Sequence, residues 1–416
     1  MKKLYSIAAV ALIATASYAG GDITPKNTDM NIQAVEPIEN INSFFDIKNG
    51  KVSGNLQTQY RYLDTDTQNN LFTTSGNLKY LTNPEAILQA GVNFYGITGF
   101  GMFDNEDRMP IFLKENGRSY SILNEVFLKA QYDFGTGKVF AKGGRFHMNE
   151  KLISSQENSK YDYPIPNSFE GAQAGVSLTN GMYVKGAWIN RMSGQDNTIA
   201  LDRFKTIESI AKNLNPTIND ESNGLFFGKI GYNFKDSVNI AIEDLYVDNY
   251  TNTILEEVGV NVSNLFGFSL PVYVGQQYIN YSSEDDSIDS DVWGVEAKVK
   301  ATDKVEVFAA YNNIGDTAIP GFAYGADPLY TSMETANAYG DSNVDSFKIG
   351  GLVSCTKGNV EIAYGNFSGD TIDIDAYELV AQYDISQAFK VKGVVSYTDD
   401  GIDETTGFRV VTGYSF

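Results

Sequence analysis

Within one short stretch the chain carries Glu150, Lys151, Glu157, Lys160 and Asp162, and Arg145, Glu170 and Arg191 stand close by. Side chains of opposite sign that face each other across water set up a transverse field, and such a field sorts ions and dipolar solutes by charge and size. These residues are therefore the candidates for a charged constriction in a water-filled passage. Two acidic clusters, Asp104, Glu106 and Asp107, then Glu284, Asp285 and Asp286, offer oxygen ligands of the kind Ca²⁺ takes. Neither has EF-hand spacing, so structural Ca²⁺ is the weaker of two readings, the other being solvated loop carboxylates. Acyl or phosphoryl chemistry has little to work with. His147 is the only histidine, with no recognisable serine motif around it, and the chain has no Gly-rich phosphate loop or metal-ligand spacing. No enzyme activity and no cofactor are expected.

The elements that must position these charges are strands. At the C-terminus Phe408, Val410, Thr412, Tyr414 and Phe416 alternate with Arg409, Gly413 and Ser415. Side chains alternate across a strand, so one face is apolar and the other polar. From Lys51 the same period continues: Val52, Leu56, Thr58, Tyr60 and Tyr62 alternate with Lys51, Ser53, Asn55, Gln57, Gln59 and Arg61. Alternation recurs at 72–80, 86–94, 126–132, 172–178, 226–232, 293–299, 305–311, 377–383 and 389–397, and more weakly at 139–145, 182–191, 238–247, 253–262, 270–281, 346–355 and 359–366. About eighteen strands are expected. Their connections include short ones such as 82–85, 133–137, 179–181, 301–303 and 357–358, and long ones at 98–118, 146–167, 192–222 and 313–343. Short turns at one end and long loops at the other are the pattern of a transmembrane antiparallel β-barrel, with periplasmic turns and extracellular loops. On the inward faces Lys51, Arg61, Lys79, Lys129, Lys298, Lys300 and Arg409 would line the lumen.

Compartment follows from the start of the chain. Lys2 and Lys3, the apolar run Leu4–Thr15 and the small-x-small step Ser17-Tyr18-Ala19 read as a signal peptide over 1–19. Residues 20–49 form an arm or plug segment, in which Ile38, Ile41, Phe44 and Phe45 are apolar, and 50–416 form the barrel. A mean hydropathy of −0.24 is compatible with this, because alternating strands average out as polar. One cysteine, Cys355, excludes an internal disulfide. Against 31 Lys and Arg stand 52 Asp and Glu, a net charge of −21 that argues against nucleic acid and favours cations.

Gly50-Lys51-Val52-Ser53-Gly54, Asn124-Glu125-Val126-Phe127-Leu128, Gly143-Gly144-Arg145 and Pro166-Asn167-Ser168-Phe169-Glu170-Gly171 resemble OprD-like porins, especially the major outer membrane proteins of epsilonproteobacteria. Asp327-Pro328-Leu329-Tyr330-Thr331-Ser332-Met333 and Phe347-Lys348-Ile349-Gly350 extend the resemblance into the second half. It implies an eighteen-stranded barrel in the outer membrane of a Gram-negative bacterium. Such a barrel is commonly trimeric, sits among lipid and lipopolysaccharide, and passes small hydrophilic solutes by diffusion through a lumen narrowed by its third loop, here 146–167. With the negative balance, a weak cation preference is expected. The alternative is a surface adhesin or receptor on the same scaffold, binding through 192–222 and 313–343.

Overall fold

Alternation becomes a wall because a sheet in lipid must pair every backbone group, and closing on itself removes the unpaired edges. The computed structural model describes residues 44–65, 68–101, 112–114, 117–155, 162–195, 201–214, 221–234, 237–267, 269–284, 287–320 and 324–416. In it eighteen strands pair antiparallel with their neighbours in chain order, from Lys51–Asp64 round to Glu404–Ser415. Those two then pair with each other, Asn55 opposite Ser415 through to Asp64 opposite Thr406, and shut the cylinder. The seam ends in a reciprocal pair of backbone hydrogen bonds, each 3.0 Å, between Gly54 and Phe416. A two-residue strand, Lys205–Thr206, lies beside the end of the strand Met182–Ser193 and adds nothing to the circumference.

The expected faces are the observed ones. Val52 and Leu56 are exposed on the first strand while Gln59 is buried, and on the last strand Tyr414 and Phe416 are exposed while Arg409 is buried. Thus the outward face is apolar and the inward face polar. Around the outward face runs an aromatic belt with ring centroids 5.0 to 6.3 Å apart in the pairs Tyr364 with Tyr377, Trp293 with Tyr311, Tyr377 with Tyr397, and Tyr60 with Phe408. Three hairpins repeat one device there. Tyr278, Tyr311 and Tyr364 each donate a hydroxyl hydrogen bond to an aspartate on the following strand, Asp291, Asp345 and Asp375. An asparagine two residues after each tyrosine, Asn280, Asn313 or Asn366, donates to the same carboxylate.

Four connections at one end are long, as expected: 99–119, 147–167, 194–224 and 315–344. Others at that end are short, 248–250 and 369–372 among them, so length does not mark the end uniformly. At the opposite end, the connection after Asn261 holds a short helix, Val262–Phe266, capped by the Asn261 side chain and closed by Gly267 in the left-handed region. Residues 1–43, the expected signal peptide and most of the arm, lie outside the described residues. The described end of the arm runs against the 82–88 turn: Asn83 N donates to Asp46 O and Leu88 N to Phe44 O. Phe44 and Ile47 are exposed there.

Candidate functional site

Beyond Phe146 the chain turns into the lumen. Residues 147–155 form a small hairpin, with Ser155 N donating to Met148 O and Glu150 N to Ile153 O. Its apolar side chains Met148, Leu152 and Ile153 are fully buried among the inward wall residues Phe169, Ile189 and Leu245. Two further connections enter the same cluster, through Ile207 and Ile210 of the helix Ile207–Leu214 and through Ile319, Tyr324 and Met333 of 315–344. The loops also bind each other, Ser154 N donating to Tyr324 O at 3.0 Å. Each fully buried aliphatic side chain is worth roughly 1.5–3 kcal/mol, so several together hold the loops inside the lumen against their ordering entropy.

Ion pairs fix where the loops land. Lys185 Nζ donates to Glu150 Oε1 at 2.5 Å and Lys229 Nζ to Glu150 Oε2 at 2.8 Å. Lys229 also reaches Glu243 at 2.9 Å, and Glu243 accepts the backbone N–H groups of Lys151 and Leu152. Lys151 Nζ lies 3.4 Å from Glu257, which also accepts from the Tyr330 hydroxyl at 2.7 Å. Burial alone would raise the Glu150 pKa, but Lys185 and Lys229 outweigh it and hold that carboxyl below its ordinary value.

The far side is a second knot. Asp162 meets Lys392 at 2.7 Å and Arg409 at 3.0 Å, and its carbonyl accepts from Gln57 Nε2. Arg409 grips Glu334 with two nitrogens, at 2.5 and 2.9 Å, a fork geometry that fixes orientation as well as charge. Arg61 adds a contact to Glu334 at 3.4 Å. Counting wall strands from Lys51–Asp64, Glu243 lies on the ninth and Arg409 on the eighteenth, half a turn apart. The two described parts of the 147–167 connection, 147–155 and 162–167, are therefore tied to opposite walls of the lumen, a bar anchored at both ends, and Glu334 of the 315–344 connection joins its far knot.

The structure brings Glu150, Lys151 and Asp162 to this bar. Glu157 and Lys160 lie outside the described residues. Arg145, Glu170 and Arg191 go elsewhere. They pair in register across three strands, alternating with Phe146, Phe169 and Met192, which are fully buried in the inward cluster. Arg145 stands opposite Val126, an exposed residue of the outward face. The three charges thus occupy the outward face near the long-loop end, which corrects their expected place at the constriction. Sequence distance to the bar was short, but strand parity decides the face.

Of the expected lining, Arg61 and Arg409 belong to the far knot. Lys79 pairs with Glu125 at 2.8 Å, Lys129 lies 5.9 Å from the Phe140 ring, and Lys298 pairs with Glu296 at 2.9 Å. Lys51 is exposed at the short-turn end, and Lys300 is half-buried. Missed altogether were Lys185, Lys229, Glu243, Glu257, Glu334 and Lys392. All but Glu334 are inward by the same alternation that identified the strands, so parity was the available signal. His147 is buried, with Nε2 2.5 Å from Asn124 Oδ1 and Nδ1 3.8 Å from Glu125. Of the Ca²⁺ candidates, Asp104, Glu106, Asp107, Asp285 and Asp286 lie outside the described residues, and Glu284 alone is placed. Among the described residues no group of three potential metal ligands occurs.

No protein-family model matches the chain, and no curated protein sequence does. Solved structures do. The outer membrane protein OpdK of Pseudomonas aeruginosa superposes with a TM-score of 0.73 at 10% identity, over 89% of this chain and 99% of that one. OpdG of the same organism gives 0.71 at 11% identity over 90% and 99%. OccAB4 of Acinetobacter baumannii gives 0.69 at 11% over 88% and 98%. These structural relatives are gammaproteobacterial, which corrects the expected closeness to epsilonproteobacterial porins. The short motifs that pointed there, such as Gly143-Gly144-Arg145, meet local needs of a tight antiparallel wall and carry little lineage. What this chain shares with these proteins is the fold, that of a closed outer-membrane β-barrel, here of eighteen antiparallel strands.

Proposed function

We propose that the protein is an outer-membrane porin, a water-filled channel for passive diffusion of ions and small hydrophilic solutes, narrowed by the 147–167 bar. The observation that carries this reading is the bar itself. A connection anchored through Glu150 at one wall and Asp162 at the other sets charges of both signs across the path that a solute would take. The polar inward face and apolar outward face support it. The net charge of −21 is a poor guide to selectivity, because Asp291, Asp345 and Asp375 sit on the outward side. A weak cation preference depends instead on the inward carboxylates, Glu243, Glu257 and Glu378 among them. The assembly we infer is a homotrimer among lipid and lipopolysaccharide, on the resemblance to OprD-like porins, and unheated gel migration tests it.

The test of function is step conductance of the purified protein in a planar bilayer under a salt gradient. Discrete, long-lived steps are expected, with a reversal potential of cationic sign. Silence from folded, heat-modifiable protein would overturn the channel reading. A steady anionic reversal would overturn the cation preference alone.

A further inference from the structure

The outward face holds a feature that permeation does not use. Arg145, Glu170 and Arg191 form a row there, with Arg145 Nε donating to Glu170 at 2.8 Å and Arg191 3.8 Å from the same carboxylate. The Phe204 ring stacks 4.2 Å from the Arg145 guanidinium, which holds it flat. Arg191 is the more accessible of the two, its side chain 47% exposed. Arg203, beside Phe204 in sequence, is exposed but lies 3.3 Å from Asp202, so it adds no net charge to the row. Two arginines against one glutamate leave this row net positive.

Directly adjoining the row is an apolar groove of about 350 Å³ in the same wall, lined by Tyr80, Ala90, Val92, Val126, Leu128 and Gly143 among others. Val126 is the register partner of Arg145, and Gly143 precedes Arg145 by two residues on the same strand and face. Glycine keeps the groove open: a Cβ at 143 would find nothing nearer than Gly171 O at 3.9 Å. Other outward hairpins carry aspartates at this end, Asp291, Asp345 and Asp375, which repel phosphate.

We propose that this face binds one lipopolysaccharide molecule of the outer leaflet, with a lipid A phosphate on Arg145 and Arg191 and an acyl chain in the groove. Arginine suits the phosphate because its planar fork gives charge-assisted bonds, and the groove suits the chain because it is apolar and adjoins the charge. The proposal rests on the outer-membrane reading above and deepens it by naming the lipid site. A second copy of this chain on the same face is the competing occupant. It would leave the phosphate-sized positive row without an anion unless the partner supplied one.

The experiment uses the full barrel in phosphatidylcholine nanodiscs, titrated with bis-phosphorylated lipid A and, separately, with dephosphorylated lipid A, bound lipid being counted by native mass spectrometry. One lipid A per barrel is expected, with dephosphorylated lipid A much weaker. Arg145→Ala with Arg191→Ala should weaken binding by roughly tenfold or more, about 1.4 kcal/mol per decade. Gly143→Phe should do the same by filling the groove, and the double lysine variant should retain part of the affinity. Heat-modifiable migration checks that each variant is folded. Equal affinity in all variants, or equal binding of dephosphorylated lipid A, overturns the proposal. So does a loss of self-association in place of lipid binding, which would assign the face to a second copy. Conductance of the wild type is read separately, so a silent barrel that binds lipid A would sink the porin reading and leave this one standing.

Discussion

Glu150 shows how much one loop carboxylate controls. It is the shared acceptor of Lys185 and Lys229, inside a cluster with little access to water. Glu150→Gln would leave two ammonium groups short of a partner, a loss of about 3 kcal/mol in the docking of the hairpin. Its expected signature is noisier single-channel current and a reversal potential moved toward anions. Acid should imitate it. Because the Glu150 pKa is held below its ordinary value, its stabilisation is full above pH ~4.3 and fades as pH falls through the lower folded value. Current noise in the wild type should therefore rise only below that range, and the glutamine variant should lack this transition. At the far knot Arg409→Ala should release both Asp162 and Glu334, and the expected result is a larger step conductance with an unchanged folded fraction.

At the level of elements, loops and wall are held by different forces. Strand ladders close the cylinder without help from the 147–167 connection, whose ties are to side chains. Replacing 148–163 by a short Gly-Ser turn should therefore raise conductance several-fold while heat-modifiable migration persists; loss of the folded form would show that the bar also braces the wall. Strands were legible in the sequence because lipid on one side and water on the other impose period 2, as Val52 against Gln59 shows. Loop landings were not. Asp162 finds Lys392 and Arg409 more than two hundred residues away, and no local pattern encodes a contact across a lumen. Arg145 is the opposite case: its parity relative to Phe146 is legible in the sequence and sets its face, whereas its nearness in sequence to Glu150 does not. Asp341 is a smaller case of loop chemistry. Hydrogen bonds from the backbone N–H groups of Thr371 and Ile372 hold its pKa low, so this clasp between two outer loops persists above the ordinary aspartate range and opens as pH falls.

For the whole molecule the decisive event is closure of the first strand on the last. Gly54 lies at that seam, and a Cβ there would come within 2.7 Å of Asn77 O, a backbone atom of the neighbouring strand that cannot swing aside. Gly54→Val is expected to cut the yield of heat-resistant barrel, and an unaltered yield would show that the seam tolerates displacement. The three tyrosine–aspartate hairpins act on a different coordinate, depth. Each pair ties a ring that prefers the hydrocarbon margin to a carboxylate that must stay wet. Tyr278, Tyr311 and Tyr364 together draw a waterline on the hull, and a hull with a fixed waterline can float at only one draught. The thickness of the surrounding leaflet is thereby something the barrel dictates as much as it accepts.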